Sequence, residues 1–211
     1  MIKIHPSSLG KIMAMAKGKG PEVLSVGALT HCYDKAKEFV YGYKPEISSR
    51  YLEKGLEVED LSIELYNTVF FSDLKKNTER LENSYLSGEC DLKKTRRIID
   101  IKSSWSIEQF PALSSRIKEP DYEWQGRAYM ILWDKEEFEL AYCLVSTPEH
   151  LIGYDSETLH YVDDIDPSLR VTTKLFQRDE EKDKLIRIKC LAAQIQIERF
   201  IEEIAVEHSK L

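Results

Sequence analysis

The sequence predicts a mixed α/β fold in which helices flank a small mixed β-sheet. Helical apolar spacing fills the first third of the chain, and strand-like segments rich in β-branched residues follow it. One long helical pattern ends the chain. A helix also separates the first strands from the later ones, which is typical of a sheet covered by helices.

Each predicted element has a local signal at its ends. Serines can cap the first three helices, Pro45 closes the second, and Pro120 opens the helix after the first strands. The helices are expected at about 8–17, 25–41, 48–66, 121–133 and 179–208, and the strands at 69–73, 84–94, 97–103, 138–146 and about 169–176. The apolar face of the last helix is expected at Leu185, Ile188, Leu191, Ala192, Ile195, Ile201 and Ile204.

The chain length favours one domain of 211 residues. Its expected parts are N-terminal helices (1–68), a core (about 69–150) and a C-terminal strand and helix (165–211).

The composition is that of an ordinary globular protein, with 42% hydrophobic and 32% charged residues. No apolar stretch approaches the roughly 18–20 residues of a membrane span, and the N-terminus lacks the apolar core of a signal peptide. We therefore expect a cytoplasmic protein without membrane contact. The net charge of -7 argues against non-specific coating of nucleic acid, but it permits an enzyme with one local basic surface.

The four cysteines are spread along the chain at Cys32, Cys90, Cys143 and Cys190. No pair has the C-x-x-C spacing of a zinc or iron–sulfur site, and nothing in the pattern indicates secretion. We therefore expect four buried free thiols.

The segment from Gly88 to Lys102 is the most informative for chemistry. A hairpin that turns at residues 94–97 sets Asp91 directly opposite Asp100. Two like charges at about 4.5–5.5 Å between Cβ atoms are destabilising unless a cation lies between them. Lys102 shares a face with Asp100 because alternate residues of a strand point the same way. Such groups suit Mg²⁺-dependent phosphate chemistry, whereas two exposed aspartates paired with lysines are the alternative.

The third predicted helix contributes another acid, Glu59. An apolar stripe at helical spacing is formed by Leu52, Leu56, Ile63 and Tyr66. Glu59 occupies a position in that row, and an isolated charge is rarely buried without a partner, so we expect a metal or another cation behind it. The alternative is that Glu59 lies at the edge of the stripe and reaches solvent. Glu57, which could also be a ligand, falls off the stripe.

The helix after the hairpin places Gln125 and Tyr129 on one face, since they are four residues apart. The glutamine can orient a water or a phosphate, with the tyrosine packed beneath it. A core tyrosine beside a satisfied glutamine is the alternative.

One dense basic run lies at the hairpin tip and consists of Lys93, Lys94, Arg96 and Arg97. A solvated turn is the usual meaning of such a run, but beside this site it could hold a DNA backbone.

Together these segments resemble the PD-(D/E)XK nuclease superfamily, and within it the phage lambda exonuclease and RecB-type branch. That branch has the ordered motifs G-x-x-x-(E/H), G-x-x-D, (D/E)-x-K and Q-x-x-x-Y. They are matched in the same order by Gly55–Glu59, Gly88–Asp91, Asp100–Lys102 and Gln125–Tyr129. The opening Pro6–Met13 is similar to the serine-bearing first helix of lambda-type enzymes, so the resemblance spans about residues 5–133.

The resemblance implies a restriction-endonuclease-like core and hydrolysis of DNA phosphodiester bonds with Mg²⁺, for which Mn²⁺ can substitute. By position, it assigns the metal to Glu59, Asp91, Asp100 and the Ile101 backbone carbonyl, catalysis also to Lys102, Gln125 and Tyr129, and terminal-phosphate binding to Ser7. Lambda-type relatives degrade one strand of duplex DNA from the 5′ end, form ring-shaped trimers and work beside a single-strand annealing protein.

Two departures within the family refine this expectation. Position 59 is Glu where RecB-type proteins have His, which favours the lambda-type side. Only Cys190 lies near the C-terminus, where iron–sulfur relatives group three cysteines, so no cluster is expected.

We therefore expect an exonuclease that acts on double-stranded DNA ends, 5′ to 3′, in phage-type recombination or repair. The alternatives are a structure-specific or single-strand nuclease or endonuclease of the RecB type, and a catalytically silent DNA-binding protein on the same fold.

Overall fold

A four-stranded sheet forms the centre of the molecule and carries helices on both faces. The computed structural model describes residues 2–15, 23–46, 49–118 and 120–209. The helices are α1 (Leu9–Met13), α2 (Val26–Tyr41), α3 (Arg50–Glu57), α4 (Glu59–Val69), α5 (Pro120–Trp133), α6 (Glu149–Ile152) and α7 (Glu180–His208). The strands are β1 (Leu81–Glu82), β2 (Ser87–Gly88), β3 (Leu92–Lys93), β4 (Arg97–Ser103), β5 (Glu137–Cys143) and β6 (Val171–Gln177).

The sheet has the order β3-β4-β5-β6, and β1 and β2 form a separate two-stranded ribbon. Strands β4 and β5 are parallel, whereas β3 and β6 run antiparallel to their neighbours. A parallel pair requires a long crossover connection, and the segment containing α5 supplies it. The predicted mixed α/β fold, with a small mixed sheet flanked by helices and a long C-terminal helix, is confirmed.

Alternation along β4 assigns its side chains to two different layers. Ile99 and Ile101 pack in a cluster with α4, whereas Ile98 packs in a cluster with Tyr129 and Met130 of α5. Because residues i and i+2 share a face, Asp100 and Lys102 lie on the α5 side.

The hairpin prediction holds in its register but not in the length of its first strand. Leu92 pairs with Ile99 and Lys93 with Ile98, which is the predicted alignment, and β4 has the predicted bounds. The strand expected at 84–94 is wrong, because β2 and β3 are two-residue strands with residues 89–91 between them. The strand expected at 69–73 is also wrong, since Val69 ends α4 and Phe71 turns the chain with φ 49°.

The helix predictions hold best where caps are present. Ser25 accepts a hydrogen bond from the Ala28 amide at the start of α2, and Gly42 ends that helix with φ 64°. The predicted third helix is broken at Val58 into α3 and α4. The first helix is shorter than expected: it ends at Met13, residues 14–15 are not helical, and residues 16–17 of the predicted helix lie outside the described residues.

The predicted apolar face of α7 is confirmed in part, because Leu185, Ala192, Ile201 and Ile204 pack against the core, but Ile188 and Ile195 are exposed. The buried positions are Ile186, Lys189, Cys190, Ala193, Gln194 and Ile197. Two of these are polar, which hid the face from a pattern of large aliphatic residues. Among the described helices, none combines the length and the apolar character needed to cross a membrane.

All four cysteines are free and buried, as predicted. Burial raises the pKa of the Cys32 thiol to about 11 and that of the other three to about 12, which keeps these thiols protonated and unreactive at neutral pH.

Gly126 marks the closest approach between α5 and the sheet. A Cβ at this position would lie 2.1 Å from the ring of the fully buried Phe138. We predict that Gly126→Ala lowers the free energy of unfolding by about 1–3 kcal/mol through overpacking, despite the better helix propensity of alanine. Gly55→Ala is the matched control, because nothing lies within 4 Å of its Cβ. The control should be neutral or more stable in urea unfolding, and equal effects of the two variants would contradict the packing argument.

Candidate active site

A cleft of about 590 Å³ opens between α3, the start of α4, the end of β4 and the start of α5. Its lining includes three of the predicted charged residues, namely Glu59, Asp91 and Lys102. The remaining lining residues are Ser49, Tyr51, Leu52, Gly55, Leu56, Ile101, Ser103, Ser104, Trp105, Gln109, Tyr122 and Tyr142. The structure thus brings residues from five separate segments to one concave surface.

Asp91 and Asp100 lie next to each other across the β3–β4 hairpin. Asp91 lies just before β3, outside the paired residues of the hairpin. Its Oδ2 accepts a hydrogen bond of 2.7 Å from the Ile101 backbone amide. Burial raises the pKa of Asp91 to about 7, and the neighbouring Asp100 and Glu59 carboxylates add to the rise. The Lys102 ammonium and the Ile101 amide oppose it.

Lys102 lies against the more buried of the two aspartates. Its Nζ is 2.7 Å from Asp100 Oδ2 and 4.7 Å from the centre of the Tyr122 ring. Burial alone would lower the pKa of Lys102, but Asp100 and Asp91 outweigh burial and the pKa lies above its ordinary value. Lys102 is therefore a charged ammonium at neutral pH, able to donate hydrogen bonds but not to accept a proton.

Gln125 fixes the orientation of Asp100. The Gln125 side-chain amide donates to Asp100 Oδ1 at 3.1 Å and to the Tyr129 hydroxyl at 3.2 Å. Burial and the Asp100 charge raise the pKa of Tyr129, so its hydroxyl stays neutral. The sequence prediction placed Gln125 on a water or a phosphate; in the structure its amide group holds the acid.

Glu59 is the first residue of α4 and lies at the rim of the same cleft. Its carboxylate forms an ion pair with the Lys76 ammonium. A cation beside Glu59 was expected from the sequence, and the structure supplies a lysine. Among the described residues, no three Asp, Glu, His or Cys side chains converge closely enough to hold a metal as they stand.

The apolar stripe used to predict the role of Glu59 is confirmed at Ile63 and Tyr66, which are buried, and is wrong at Leu52 and Leu56. Leu52 and Leu56 are exposed on the cleft wall, and the buried row of α3 and α4 runs through Lys54, Val58 and Ser62. Two of these three are polar, so the pattern of large apolar residues selected a neighbouring row.

The donor set suits a hard divalent cation. Asp100 is 1% exposed, and its Oδ2 accepts no well-oriented hydrogen bond although Lys102 lies beside it. An anionic oxygen with its coordination incomplete, next to a second carboxylate, is the environment that Mg²⁺ or Mn²⁺ satisfies. Asp91, Asp100 and Glu59 therefore fit the predicted metal-binding role, and Ile101 lines the same cleft.

The predicted DNA-binding residues lie elsewhere. Ser7 is exposed and its Oγ is 2.8 Å from His5 Nδ1. None of the four basic residues of the hairpin tip lines the cleft, and three of them form ion pairs with glutamates. These pairs are Lys93–Glu79, Arg96–Glu136 and Arg97–Glu137. Their role in DNA binding stays a prediction.

Lys54 is a buried residue that the sequence analysis missed. It is 1% exposed, and its ammonium donates to the carbonyl oxygens of Ser104, Trp105 and Val145 at 2.6–3.0 Å. Burial lowers the pKa of Lys54 to about 8. This lysine ties α3 to the chain just beyond β4 and β5, and its only signal in the sequence is a helical spacing with Val58 and Ser62.

Asp100 and Lys102 on an inner strand of a mixed sheet, with Asp91 beside them, define a nuclease of the PD-(D/E)XK class. No protein-family model and no curated protein matches the chain. Several solved structures do match it. A phage-related exonuclease from Haemophilus somnus 129PT is 34% identical, with a TM-score of 0.90 and 96% of each chain covered.

An alkaline exonuclease from Laribacter hongkongensis shares the fold, with 14% identity, a TM-score of 0.72 and coverage of 99% of this chain and 94% of the other. The same enzyme in complex with dAMP matches at 15% identity. The chain therefore belongs to the phage lambda exonuclease-type branch of the PD-(D/E)XK superfamily.

The raised pKa of Asp91 predicts how the stability of the metal-free protein depends on pH. The folded state holds the Asp91 proton up to about pH 7, whereas an unfolded aspartate releases it near 3.8. Asp91 therefore costs stability as pH rises through that window, by at most about 1.4 kcal/mol per pH unit. We predict that Asp91→Asn is more stable than the wild type at pH 8 in EDTA, and that its advantage shrinks towards pH 5. Urea unfolding measures this, and an advantage that does not change with pH would refute the argument.

Proposed function

We propose that the protein is a Mg²⁺-dependent exonuclease that hydrolyses phosphodiester bonds at double-stranded DNA ends, 5′ to 3′, in phage-type recombination or repair. The observation that carries the proposal is the convergence of Asp91, Asp100 and Lys102 in the order of the family motifs: Asp91 and Lys102 line the cleft, and Asp100 lies against Lys102. The Haemophilus somnus relative is a phage-related exonuclease, and the Laribacter exonuclease has been seen with dAMP, which is a DNA monomer.

The proposed metal ligands are Asp91, Asp100, Glu59 and the Ile101 carbonyl. When bound, Mg²⁺ supplies positive charge and Lewis acidity at the scissile phosphate. The chain's own residues prepare the site for this. The Gln125 amide holds Asp100 Oδ1, which leaves Oδ2 turned towards Lys102. The Ile101 amide holds one oxygen of Asp91 in the same way.

Lys102 is proposed to act as a hydrogen-bond donor. As an ammonium it can donate to the oxygen of the attacking water or to a phosphate oxygen, and it stabilises the negative charge that builds on the phosphate. It cannot take the proton of the water while it stays charged. Its position against Asp100 and over the Tyr122 ring keeps that charge in place.

Digestion of end-labelled DNA tests the proposal directly. We predict that linear duplex is degraded with millimolar Mg²⁺ and left intact in EDTA, and that covalently closed circles survive because they offer no end. Release of label from a 5′-labelled strand before a 3′-labelled strand would show the polarity, and 5′-phosphate ends should be compared with 5′-hydroxyl ends. Nicking of closed circles at a comparable rate would replace the exonuclease proposal with the endonuclease alternative.

Lys102→Ala tests the assigned mechanism. We predict a loss of at least about 100-fold in the digestion of linear duplex, because the ammonium contributes mainly to the charge of the transition state. Lys184→Ala is the control, since Lys184 is exposed, pairs with Glu181 on the surface of α7 and does not line the cleft. Unchanged digestion by the folded Lys102→Ala protein would remove Lys102 from the mechanism.

The family resemblance also supports proposals about assembly and location. We propose a ring-shaped homotrimer, a single-strand annealing protein as partner, and a place of action in the cytoplasm of a bacterial or phage-infected cell. Light scattering of the purified protein tests the oligomeric state.

A further inference from the structure

Lys76 lies at the candidate metal site although no motif includes it. Its ammonium pairs with the Glu59 carboxylate, and Asp91 is close enough to act on its charge. The backbone that carries Lys76 is fixed beside Asp91. The next residue, Asn77, donates its backbone amide to the Asp91 carbonyl at 2.7 Å and its side-chain amide to the Cys90 carbonyl at 3.2 Å.

The neighbouring Lys75 points away from the site. Its ammonium pairs with Asp73 at 2.6 Å, and its side chain is 81% exposed. The Lys76 side chain is 48% exposed and reaches the Glu59 carboxylate. Two adjacent lysines of the same segment thus face different surroundings, and only Lys76 contacts a residue of the proposed metal site.

The charges of the site are nearly balanced without a metal. The site has three carboxylates, those of Glu59, Asp91 and Asp100, and two ammonium groups. The Lys102 ammonium pairs with Asp100, and the Lys76 ammonium pairs with Glu59. Lys102 lies within the cleft, whereas Lys76 approaches from outside its lining. Lys76 therefore pairs with Glu59, the carboxylate that would be the third acidic ligand of a divalent ion.

We propose that Lys76 is an internal counter-cation that pairs with Glu59 in the metal-free protein and competes with the divalent ion for that carboxylate, and so sets the affinity of the site for metal. This inference rests on the proposed metal dependence. A unit charge acting on a divalent ion at the distance of a neighbouring side chain changes its binding by about tenfold even when solvent screens the pair. Lys76 also relieves the repulsion among the acids until the metal arrives.

Calorimetric titration of the full chain with Mn²⁺ tests the proposal without measuring activity. Lys76→Met is expected to bind Mn²⁺ about tenfold more tightly than the wild type. Lys75→Met is the matched control: it removes the same charge one residue away and is expected to leave the affinity unchanged. Lys76→Arg keeps the charge and is expected to behave as the wild type does.

A double-mutant cycle assigns the effect to Glu59. In a Glu59→Gln background, the gain from Lys76→Met is expected to fall to roughly threefold or less, because the competition for that carboxylate is gone. Thermal unfolding confirms that each variant is folded.

The outcomes separate this inference from the proposed function. Failure of the wild type to bind Mn²⁺ or Mg²⁺ at millimolar concentrations would overturn the metal site and the inference together. Metal binding by the wild type with an unchanged or weaker affinity in Lys76→Met would overturn the role of Lys76 alone. An equal gain in Lys75→Met and Lys76→Met would do the same, since it would reduce the effect to net charge.

Discussion

The crowding of Asp91 and Asp100 is the constraint on which the site depends. Two neighbouring carboxylates repel each other, and burial of Asp100 makes the repulsion harder to screen. The structure answers with donors from different elements: the Ile101 amide from β4, the Gln125 amide from α5 and the Lys102 ammonium from β4 again. The arrangement is costly for a resting protein, and a bound divalent cation, as proposed, would offset that cost.

A rigid scaffold keeps the acids from relaxing apart. Lys54 holds the chain beyond β4 and β5 through three carbonyl oxygens, so the end of the catalytic strand is fixed to α3. On the other side, Gly88 lets the chain before Asp91 pack directly against Pro6 and Tyr129, since a Cβ there would lie 2.7 Å from the proline ring. Contacts outside the charged groups therefore fix the backbone that holds the two like charges close together.

The sequence predicted best those parts of the fold in which a local signal and the tertiary contacts agree. The bounds of β4, the register of the hairpin and the helix α5 all follow from a strong β-branched run, a short turn and a proline start. The juxtaposition of Asp91, Asp100, Lys102, Gln125 and Tyr129 follows from that register together with the crossover helix. The chemistry of this wall of the cleft could thus be anticipated from residue spacing.

The helix faces that the sequence analysis placed wrongly share one physical cause, which is that polar residues occupy buried positions. Lys54 and Ser62 lie in the buried row of α3 and α4, and Lys189 and Gln194 lie in that of α7. Each forms a hydrogen bond with a partner distant in sequence, such as the Met13 and Ile2 carbonyls for the two residues of α7. Apolar periodicity cannot detect such rows because their stability comes from hydrogen bonds made only in the folded chain.

Segments 69–73 and 84–94 failed for a different reason. Val69, Phe70 and Phe71 favour a strand by propensity but end and follow α4, and within 84–94 the chain forms two strands, β2 and β3, of two residues each. The chain there is held by irregular contacts, among them the bond from the Asn77 amide to the Asp91 carbonyl. Lys76 could not be assigned from the sequence because its place depends on this irregular segment.

The distribution of positive charge constrains how the protein meets DNA. Acidic residues outnumber basic ones, 37 to 30, and three of the four basic residues at the hairpin tip are paired with glutamates. Attraction to duplex DNA grows with the number of phosphates that free cations neutralise, so attraction along the length of a duplex is weak for such a surface. In the described part of the chain, Lys102 is the one basic residue that lines the cleft, and the exposed wall carries Leu52 and Leu56. The shape of the cleft rather than its charge must therefore supply most of the contact that the proposed function requires.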